Sequence, residues 1–227
     1  SKQRPQWRLE ENKLIEIAQS IKENKAELCI ITGQMGIGKS RLKEEFEKFL
    51  SEDGVFKYFE THCSVEIPSP YFPFKFLLAR YFEITEDDTS VAIAKKIDES
   101  IARRHLSPLV AKGLRHLFLT DMYRIKQDEM LSINEEIYNS VKNLIRFEGR
   151  ANPLVIIFEE FNKADEMSKY LMAYLSSELR DEPVMFLLVN VSKEFLTNID
   201  TPIKEINLTP LAFHEVKDLL THILDDV

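Results

Sequence analysis

The residues best suited to chemistry in this chain form a glycine-rich segment, Gly33 to Ser40, that fits the spacing G-x-x-x-x-G-K-[ST] at every fixed position. Glycines let the backbone curl until successive N–H groups point into one concavity, where they can hold phosphate oxygens. In this spacing the lysine, Lys39, reaches the β- and γ-phosphates, and the hydroxyl of Ser40 is a ligand of Mg²⁺. The segment therefore predicts a phosphate-binding loop (P-loop) that binds a nucleoside triphosphate.

The sequence on either side of the loop supports this prediction. An apolar run precedes it and a helical pattern follows it, and a helix N-terminus adds unpaired N–H groups and the positive end of its dipole to the concavity. A glycine-rich turn between a strand and a helix can also be only a turn. We assign nucleotide binding to the loop and the residue after it, namely Gly33, Gln34, Met35, Gly36, Ile37, Gly38, Lys39, Ser40 and Arg41.

Two adjacent carboxylates, Glu159 and Glu160, follow a second apolar run at 153–158. Open α/β sheets bind ligands at the carboxyl ends of their strands, so we expect these acids on a strand beside that of the P-loop. In P-loop ATPases the first acid holds Mg²⁺ and is normally Asp, and a second acid can polarise the attacking water as a general base. We predict Ser40 and Glu159 as metal ligands, and Glu160 and Lys39 as catalytic residues. Two solvated acids after a strand are the alternative interpretation.

The order of the hydrophobic patterns predicts an α/β fold, a doubly wound, parallel, five-stranded P-loop NTPase sheet with a helical insertion between the second and third strands. The expected strands are 27–32, 55–62, 153–158, 183–191 and 203–208. The expected helices are 9–21, 41–50 and 164–179, with 74–82, 91–104, 106–119 and 134–146 in the insertion at about 64–149. Residues 1–208 are thus the predicted NTPase core, and residues 209–227 the truncated start of a helical lid.

The composition excludes several classes of protein. A formal net charge of −8 argues against broad binding to nucleic acid or to an anionic membrane. No apolar run approaches the roughly 18 residues that span a bilayer. The two cysteines, Cys29 and Cys63, do not make a disulfide framework, so we expect a reducing, cytoplasmic environment. The chain begins at Ser1 without a signal-peptide pattern, and we expect it to be a fragment of a longer polypeptide.

Four segments resemble signal-transduction ATPases of the STAND/AAA type. GQMGIGKSRL (33–42) is similar to their Gly-Glu-x-Gly-Ile-Gly-Lys-Ser-Arg-Leu, and PLVIIFEEFNKAD (153–165) resembles an apolar strand followed by Asp-Asp-Leu-His-Trp-Ala-Asp. SPYFPF (69–74) resembles the Pro-Tyr-x-Pro-Phe entry to the helical insertion of that family. LTPLAFHE (208–215) resembles the Leu-x-Pro-Leu-x-x-x-Glu that opens the lid.

The resemblance implies ATP and Mg²⁺ as cofactors and a regulatory role. Such domains are often joined to class III adenylate or guanylate cyclases, kinases or transcription regulators, so the implied partners are other domains of the same polypeptide, a nucleotide cyclase among them. It also implies a polar side chain at the tip of the fourth strand that senses the γ-phosphate. Asn190 or Ser192 fits that role, and we assign Asn190 to the nucleotide, although an Asn at a strand end is also a common turn residue.

The chain departs from the family pattern at several positions. Leu9-Glu10-Glu11 replaces the usual Gly-Arg-Glu, Asn162-Lys163 replaces His-Trp, and Glu159 replaces Asp. No arginine follows Arg180, so an arginine finger at the usual position is absent. Because such a cation can be worth about 10³–10⁵ in rate, we expect hydrolysis to be slow.

The sequence therefore leads to one main hypothesis and leaves others open. The main hypothesis is an ATP-binding, slowly hydrolysing regulatory domain of a larger signalling protein, in which the nucleotide acts as a conformational switch. One alternative is a degenerate scaffold that holds nucleotide without hydrolysing it. Another is an active AAA+ ATPase akin to DNA-replication loaders, which the acidic charge and the missing arginine disfavour. The oligomeric state and the choice between adenine and guanine stay open.

Overall fold

The computed structural model describes residues 5–64 and 69–210, with side chains from residue 9 onward. Within these ranges the chain forms a sheet with helices on both faces. The strands are β1 (Glu27–Gly33), β2 (Lys57–His62), β3 (Leu154–Glu159), β4 (Val184–Val189) and β5 (Ile203–Leu208). The helices are α1 (Pro5–Ser20), α2 (Lys39–Asp53), α3 (Phe72–Tyr81), α4 (Ser90–Arg103), α5 (Pro108–Leu119), α6 (Gln127–Ala151), α7 (Glu166–Glu178) and α8 (Lys193–Thr197).

The five strands are all parallel and lie in the order β2-β3-β4-β1-β5. The prediction of a parallel five-stranded α/β sheet is therefore confirmed. The predicted neighbour of the P-loop strand is wrong, however, because β4 lies between β1 and β3. A strand buried on both faces gives a continuous apolar run, and such a run reveals the strand but not its neighbours.

Each face of the sheet packs its own hydrophobic core. In β1, Leu28 and Ile30 belong to one core and Cys29 and Ile31 to the other, as the two-residue period of a strand requires. The second core lies under α1 and α2, which contribute residues such as Leu14 and Phe46. The first lies under α3, α6 and α7, with α5 packed on α6 and α4 on α5. The two layers hold the carboxyl ends of the strands in a fixed arrangement.

The insertion between β2 and β3 consists of helices α3 to α6. Its last helix has 25 residues, about twice the length expected from 134–146, and its fully buried residues begin only at Ile137. Gly113 lies within α5 and does not interrupt it. It lies where α5 and α6 touch, and a Cβ atom there would stand 2.2 Å from the carbonyl oxygen of Glu136.

The short helix α8 was not predicted, and residues 211–227 of the predicted lid lie outside the described residues. No helix in the described ranges has the length and apolar character needed to cross a membrane.

Candidate functional site

The P-loop connects the end of β1 to the start of α2, and its glycines are required by its geometry. Gly36 and Gly38 have φ angles of 77° and 109°, which side chains of L-residues rarely adopt. Gly33 has φ of 142°, and a Cβ atom at this position would stand 2.7 Å from the carbonyl oxygen of Leu208 on β5. The backbone therefore curls as the motif requires, and α2 begins at Lys39.

The ammonium group of Lys39 folds back over the loop. Its Nζ donates to the carbonyl oxygens of Gly33 and Gln34, both at 2.8 Å, and the residue is 8% exposed. An ammonium group has three N–H donors, so one remains for an oxygen in the cleft. The loop carbonyls thus hold the lysine close to the position where a phosphate would lie.

A cleft of about 640 Å³ opens above the P-loop at the carboxyl ends of β1, β3 and β4. Among the predicted site residues, those that line it are Gly33, Met35, Gly36, Gly38, Lys39, Ser40, Glu160 and Asn190. The predicted residues that do not line it are Gln34, Ile37, Arg41 and Glu159. The cleft is also lined by residues that we did not assign to a site, namely Thr32, Asn162 and Val191.

Glu160 and Asn190 are joined directly in this cleft. The side-chain amide of Asn190 donates from Nδ2 to Oε1 of Glu160 at 2.6 Å. Both residues have left-handed backbones, with φ of 52° for Glu160 and 59° for Asn190. This conformation costs a residue such as Glu about 1–2 kcal/mol, and such strain is concentrated at functional sites.

Backbone hydrogen bonds hold the two residues in place. The N–H of Asn190 donates to the carbonyl of Ile31 at 3.2 Å, and its own carbonyl accepts from the N–H of Asn162 at 2.6 Å. Asn190 is therefore tied to the end of the P-loop strand and to the turn that follows Glu160. The position of β4 between β1 and β3, which the sequence did not predict, makes this connection possible.

Each carboxylate of the Glu159-Glu160 pair also has a lysine partner. Oε2 of Glu160 lies 3.1 Å from Nζ of Lys163, and these side chains are 42% and 45% exposed. Such exposed pairs are screened by solvent and contribute little. Oε1 of Glu159 lies 3.1 Å from Nζ of Lys43, whose side chain is only 8% exposed. The second pair is therefore the stronger one.

Lys43 contacts two further carboxylates, which makes it the centre of a charged cluster. Its Nζ lies 3.4 Å from Glu47 and forms a short hydrogen bond with Glu60. Burial favours a lower pKa for Lys43, but the hydrogen bonds with Glu60 and Glu159 outweigh it and raise the pKa above its ordinary value. Burial also raises the pKa of Glu47, against the lowering effect of Lys43. Lys43 therefore stays charged.

The predicted Mg²⁺ ligands fit the metal only in part. Mg²⁺ prefers oxygen ligands, commonly one or two carboxylates together with phosphates. The exposed Ser40 offers its hydroxyl to the cleft, but the carboxylate of Glu159 is bonded to Lys43 and does not line the cleft. No group of three or more His, Cys, Asp or Glu side chains in the described ranges forms a metal site. Of the two predicted ligands, Ser40 lines the cleft and Glu159 does not.

Asp165 links the site to the helical insertion, a role that the sequence did not reveal. Its Oδ1 accepts from the N–H groups of Tyr71 and Ser168, at 2.9 and 3.0 Å. Its Oδ2 accepts from the N–H of Phe72 at 3.1 Å and from the hydroxyl of Ser168 at 2.6 Å. One carboxylate thus caps α7 and binds the first turn of α3, so two of the segments used for the family resemblance meet here.

Two basic residues of the insertion, Lys112 on α5 and Arg115 on the same helix, are paired with acids. Lys112 lies 2.7 Å from Glu136, and Arg115 forms an ion pair with Asp98. This pairing is typical of a solvated helix face. Sequence reasoning also missed Lys43, because the predicted helix began at residue 41, whereas α2 begins at Lys39 and so places Lys39 and Lys43 on one helix face.

Comparisons with known proteins define the class of this chain. Residues 8–188 match the family model described as the AAA ATPase domain, so the chain belongs to that family. No curated protein matches it. The chain is thus an AAA-type P-loop ATPase domain, and the cleft described above lies in that domain.

Two solved structures are similar to it. One is a Signal Transduction ATPase with Numerous Domains (STAND) protein with a tetratricopeptide repeat sensor from Pyrococcus horikoshii, with 12% identity and a TM-score of 0.39. The other is Drosophila ORC bound to DNA, with 10% identity and a TM-score of 0.43. The similarity covers 89% and 95% of this chain but only 24% and 32% of those proteins.

Proposed function

We propose that this domain binds ATP in the cleft above the P-loop, hydrolyses it slowly, and acts as a nucleotide-dependent switch in a larger signalling protein. The observation that carries the proposal is the hydrogen bond between Asn190 and Glu160 in the cleft that Lys39 and Ser40 also line. It joins a candidate general base to a candidate phosphate sensor within reach of a phosphate-binding loop.

The chemistry of the two side chains suits this role. An amide nitrogen has two N–H donors, so Asn190 can bind Glu160 and a phosphate oxygen at the same time. Glu160, held by Asn190, would accept the proton of the attacking water, a role that typically contributes 10²–10⁴ in rate. Loss of the γ-phosphate would remove one partner of Asn190. Because Asn190 is also bonded to Ile31 and Asn162, this loss would alter the contacts at the ends of β1, β3 and β4.

Binding of Mg²⁺ stays a prediction. Its predicted ligand Ser40 lines the cleft, whereas its predicted ligand Glu159 is paired with Lys43. The metal would supply charge neutralisation of the phosphates. Attachment to a cyclase, a cytoplasmic location and the truncated lid at 209–227 also stay predictions, drawn from the sequence.

The test measures ATP and ADP binding by calorimetry and phosphate release by a coupled assay. We expect the intact protein to bind ATP with a dissociation constant below about 1 mM and to hydrolyse it slowly, and we expect Lys39→Ala to lose ATP binding. Glu160→Gln should still bind ATP, but its rate of phosphate release should be lower by at least about 10²-fold. Lys48→Ala is the control, because Lys48 lies on α2 with a side chain that is 67% exposed. Absence of nucleotide binding at millimolar ATP would refute the proposal.

A non-hydrolysing scaffold is the second candidate, and the two lysine partners of Glu159 and Glu160 favour it. Both carboxylate oxygens of Glu160 already have a partner, Asn190 at Oε1 and Lys163 at Oε2, so an attacking water would have to share or displace one of them. The two candidates separate in the turnover assay. The scaffold predicts ATP binding with the same phosphate release from the intact protein and from Glu160→Gln.

A further inference from the structure

We propose that Lys43 acts as an internal counter-ion that withholds Glu159 from the metal, so that nucleotide binding by this domain depends only weakly on Mg²⁺. This inference rests on the proposed function, because it concerns how the same site binds its nucleotide. It gives Lys43 a positioning role, in which it acts through Glu159 and does not touch the nucleotide.

The fold brings Lys43 and Glu159 together for simple geometric reasons. In β3, Val155 and Ile157 face the core under α2, and the two-residue period places Glu159 on the same face. On α2, Lys43 follows Lys39 by four residues, so it lies one turn further along the helix on the same side. The carboxylate of Glu159 therefore meets Lys43 at the face between sheet and helix.

Carboxylates surround the ammonium group of Lys43. An ammonium group has three donors, and three carboxylates surround this one: Glu47 and Glu159 at 3.4 and 3.1 Å, and Glu60 at shorter range. Glu60 reaches the cluster from β2, where it shares the face of Tyr58, which packs against the same core. Because the ammonium group is almost buried, this pairing is screened much less than a surface ion pair.

The consequence for a metal ion follows from this charge balance. A divalent cation in a P-loop site offsets the charge of the phosphates and of the acid that binds it. Here the charge of Glu159 is already offset by Lys43, and that of Glu160 is offset more weakly by Lys163. For Glu159 to bind Mg²⁺, it would have to leave Lys43. The protein therefore gains little from the metal, whereas Lys39 and the loop N–H groups bind phosphate without it.

The test is a calorimetric titration of the protein with ADP, which undergoes no turnover, in excess Mg²⁺ and in EDTA. We expect the two dissociation constants of the intact protein to differ by less than about threefold, which corresponds to a small difference in free energy. In Lys43→Met, a neutral side chain of similar length, Glu159 is released beside two other carboxylates. The dissociation constant for ADP in EDTA should then exceed that in Mg²⁺ by about tenfold or more.

The matched control is Lys48→Met, which removes an exposed lysine from the same helix and should leave the ratio unchanged. Because Lys43→Met leaves three carboxylates without a counter-ion and can fail to fold, a second variant combines it with Glu60→Gln. The double variant carries less uncompensated charge and should show the same increased ratio. Circular dichroism checks that each variant is folded.

The outcomes separate the inference from the proposed function. If neither ADP nor ATP binds in either buffer, the proposed function fails and this inference fails with it. If the intact protein binds ADP at least tenfold more tightly with Mg²⁺, the proposed function stands and this inference is overturned. If the intact protein is insensitive to Mg²⁺ and both Lys43 variants are as well, the role assigned to Lys43 is overturned.

Discussion

Replacing Asp165 with alanine removes a single carboxylate that joins the start of α7 to the helical insertion. Two of its four hydrogen bonds cap α7 at Ser168, and the loss of an N-cap typically costs about 1 kcal/mol. The other two bind the N–H groups of Tyr71 and Phe72, and an N–H group left without an acceptor costs about 1–3 kcal/mol. Tyr71 is fully buried and has φ of 62°, so its backbone has little freedom to find a new partner.

The expected loss in the free energy of unfolding for Asp165→Ala is therefore about 3 kcal/mol, the sum of the cap and the lower limit for two N–H groups. We use the lower limit because Asp165 itself is partly exposed and water can replace some of the lost bonds. For a chain of this length, the same loss corresponds to a decrease of about 6–12 °C in the melting temperature. Urea unfolding monitored by circular dichroism measures the first value, and a thermal scan measures the second.

Two further variants make this prediction specific. Thr89→Ala removes an ordinary N-cap, in which the hydroxyl of Thr89 accepts the N–H of Ala92 at 3.2 Å, and should cost about 1 kcal/mol. Asp165→Asn keeps one acceptor oxygen and should fall between the two. If Asp165→Ala costs no more than Thr89→Ala, Asp165 is only a helix cap and the proposed link to the insertion is wrong.

The remaining predictions concern packing and buried thiols. Gly113→Ala should lower the free energy of unfolding by about 1–3 kcal/mol, since the new methyl group overlaps a backbone carbonyl at 2.2 Å. Gly149→Ala, whose methyl group meets a side-chain methyl of Val184 at 2.9 Å and not a backbone carbonyl at 2.2 Å, should cost less, and equal costs would contradict the close packing of α5 and α6. Cys29 and Cys63, whose pKa values burial raises to about 12, should react with Ellman's reagent at pH 8 only after unfolding. Because unfolded thiols ionise near 9.0, the stability that these neutral thiols contribute should be lost as pH rises from about 9 towards 12. Rapid labelling of the native protein, or constant stability over that pH range, would contradict their burial.

The fold could be predicted largely from local patterns. The apolar runs of β3 and β4 predicted buried strands, and the alternation of strands and helices predicted a parallel sheet. The boundaries were less accurate, as the length of α6 illustrates. Gln127, Asp128 and Glu129 at its start are polar and exposed, and Met130 and Ile133 after them are only partly buried, so the first turns carry a weak apolar signal.

The order of the strands could not be predicted in the same way. A run such as β4 shows that a strand is buried, but its neighbours depend on contacts between segments far apart in the chain. The insertion of β4 between β1 and β3 brings Asn190 to Glu160, 30 residues away in sequence. The sequence proposed Asn190 for the phosphate and Glu160 for the water, and it gave no reason to expect a direct bond between them.

The sequence by itself determined that this chain has a phosphate-binding loop, because the conformation of the loop depends on glycines at fixed positions and is therefore local. It also determined that two carboxylates follow a buried strand. Only the tertiary structure decided what each carboxylate does: Glu160 faces the cleft and binds Asn190, whereas Glu159 faces α2 and binds Lys43. The physical reason is that neighbouring residues at the end of a strand point in different directions, so their partners are set by the elements packed on each side.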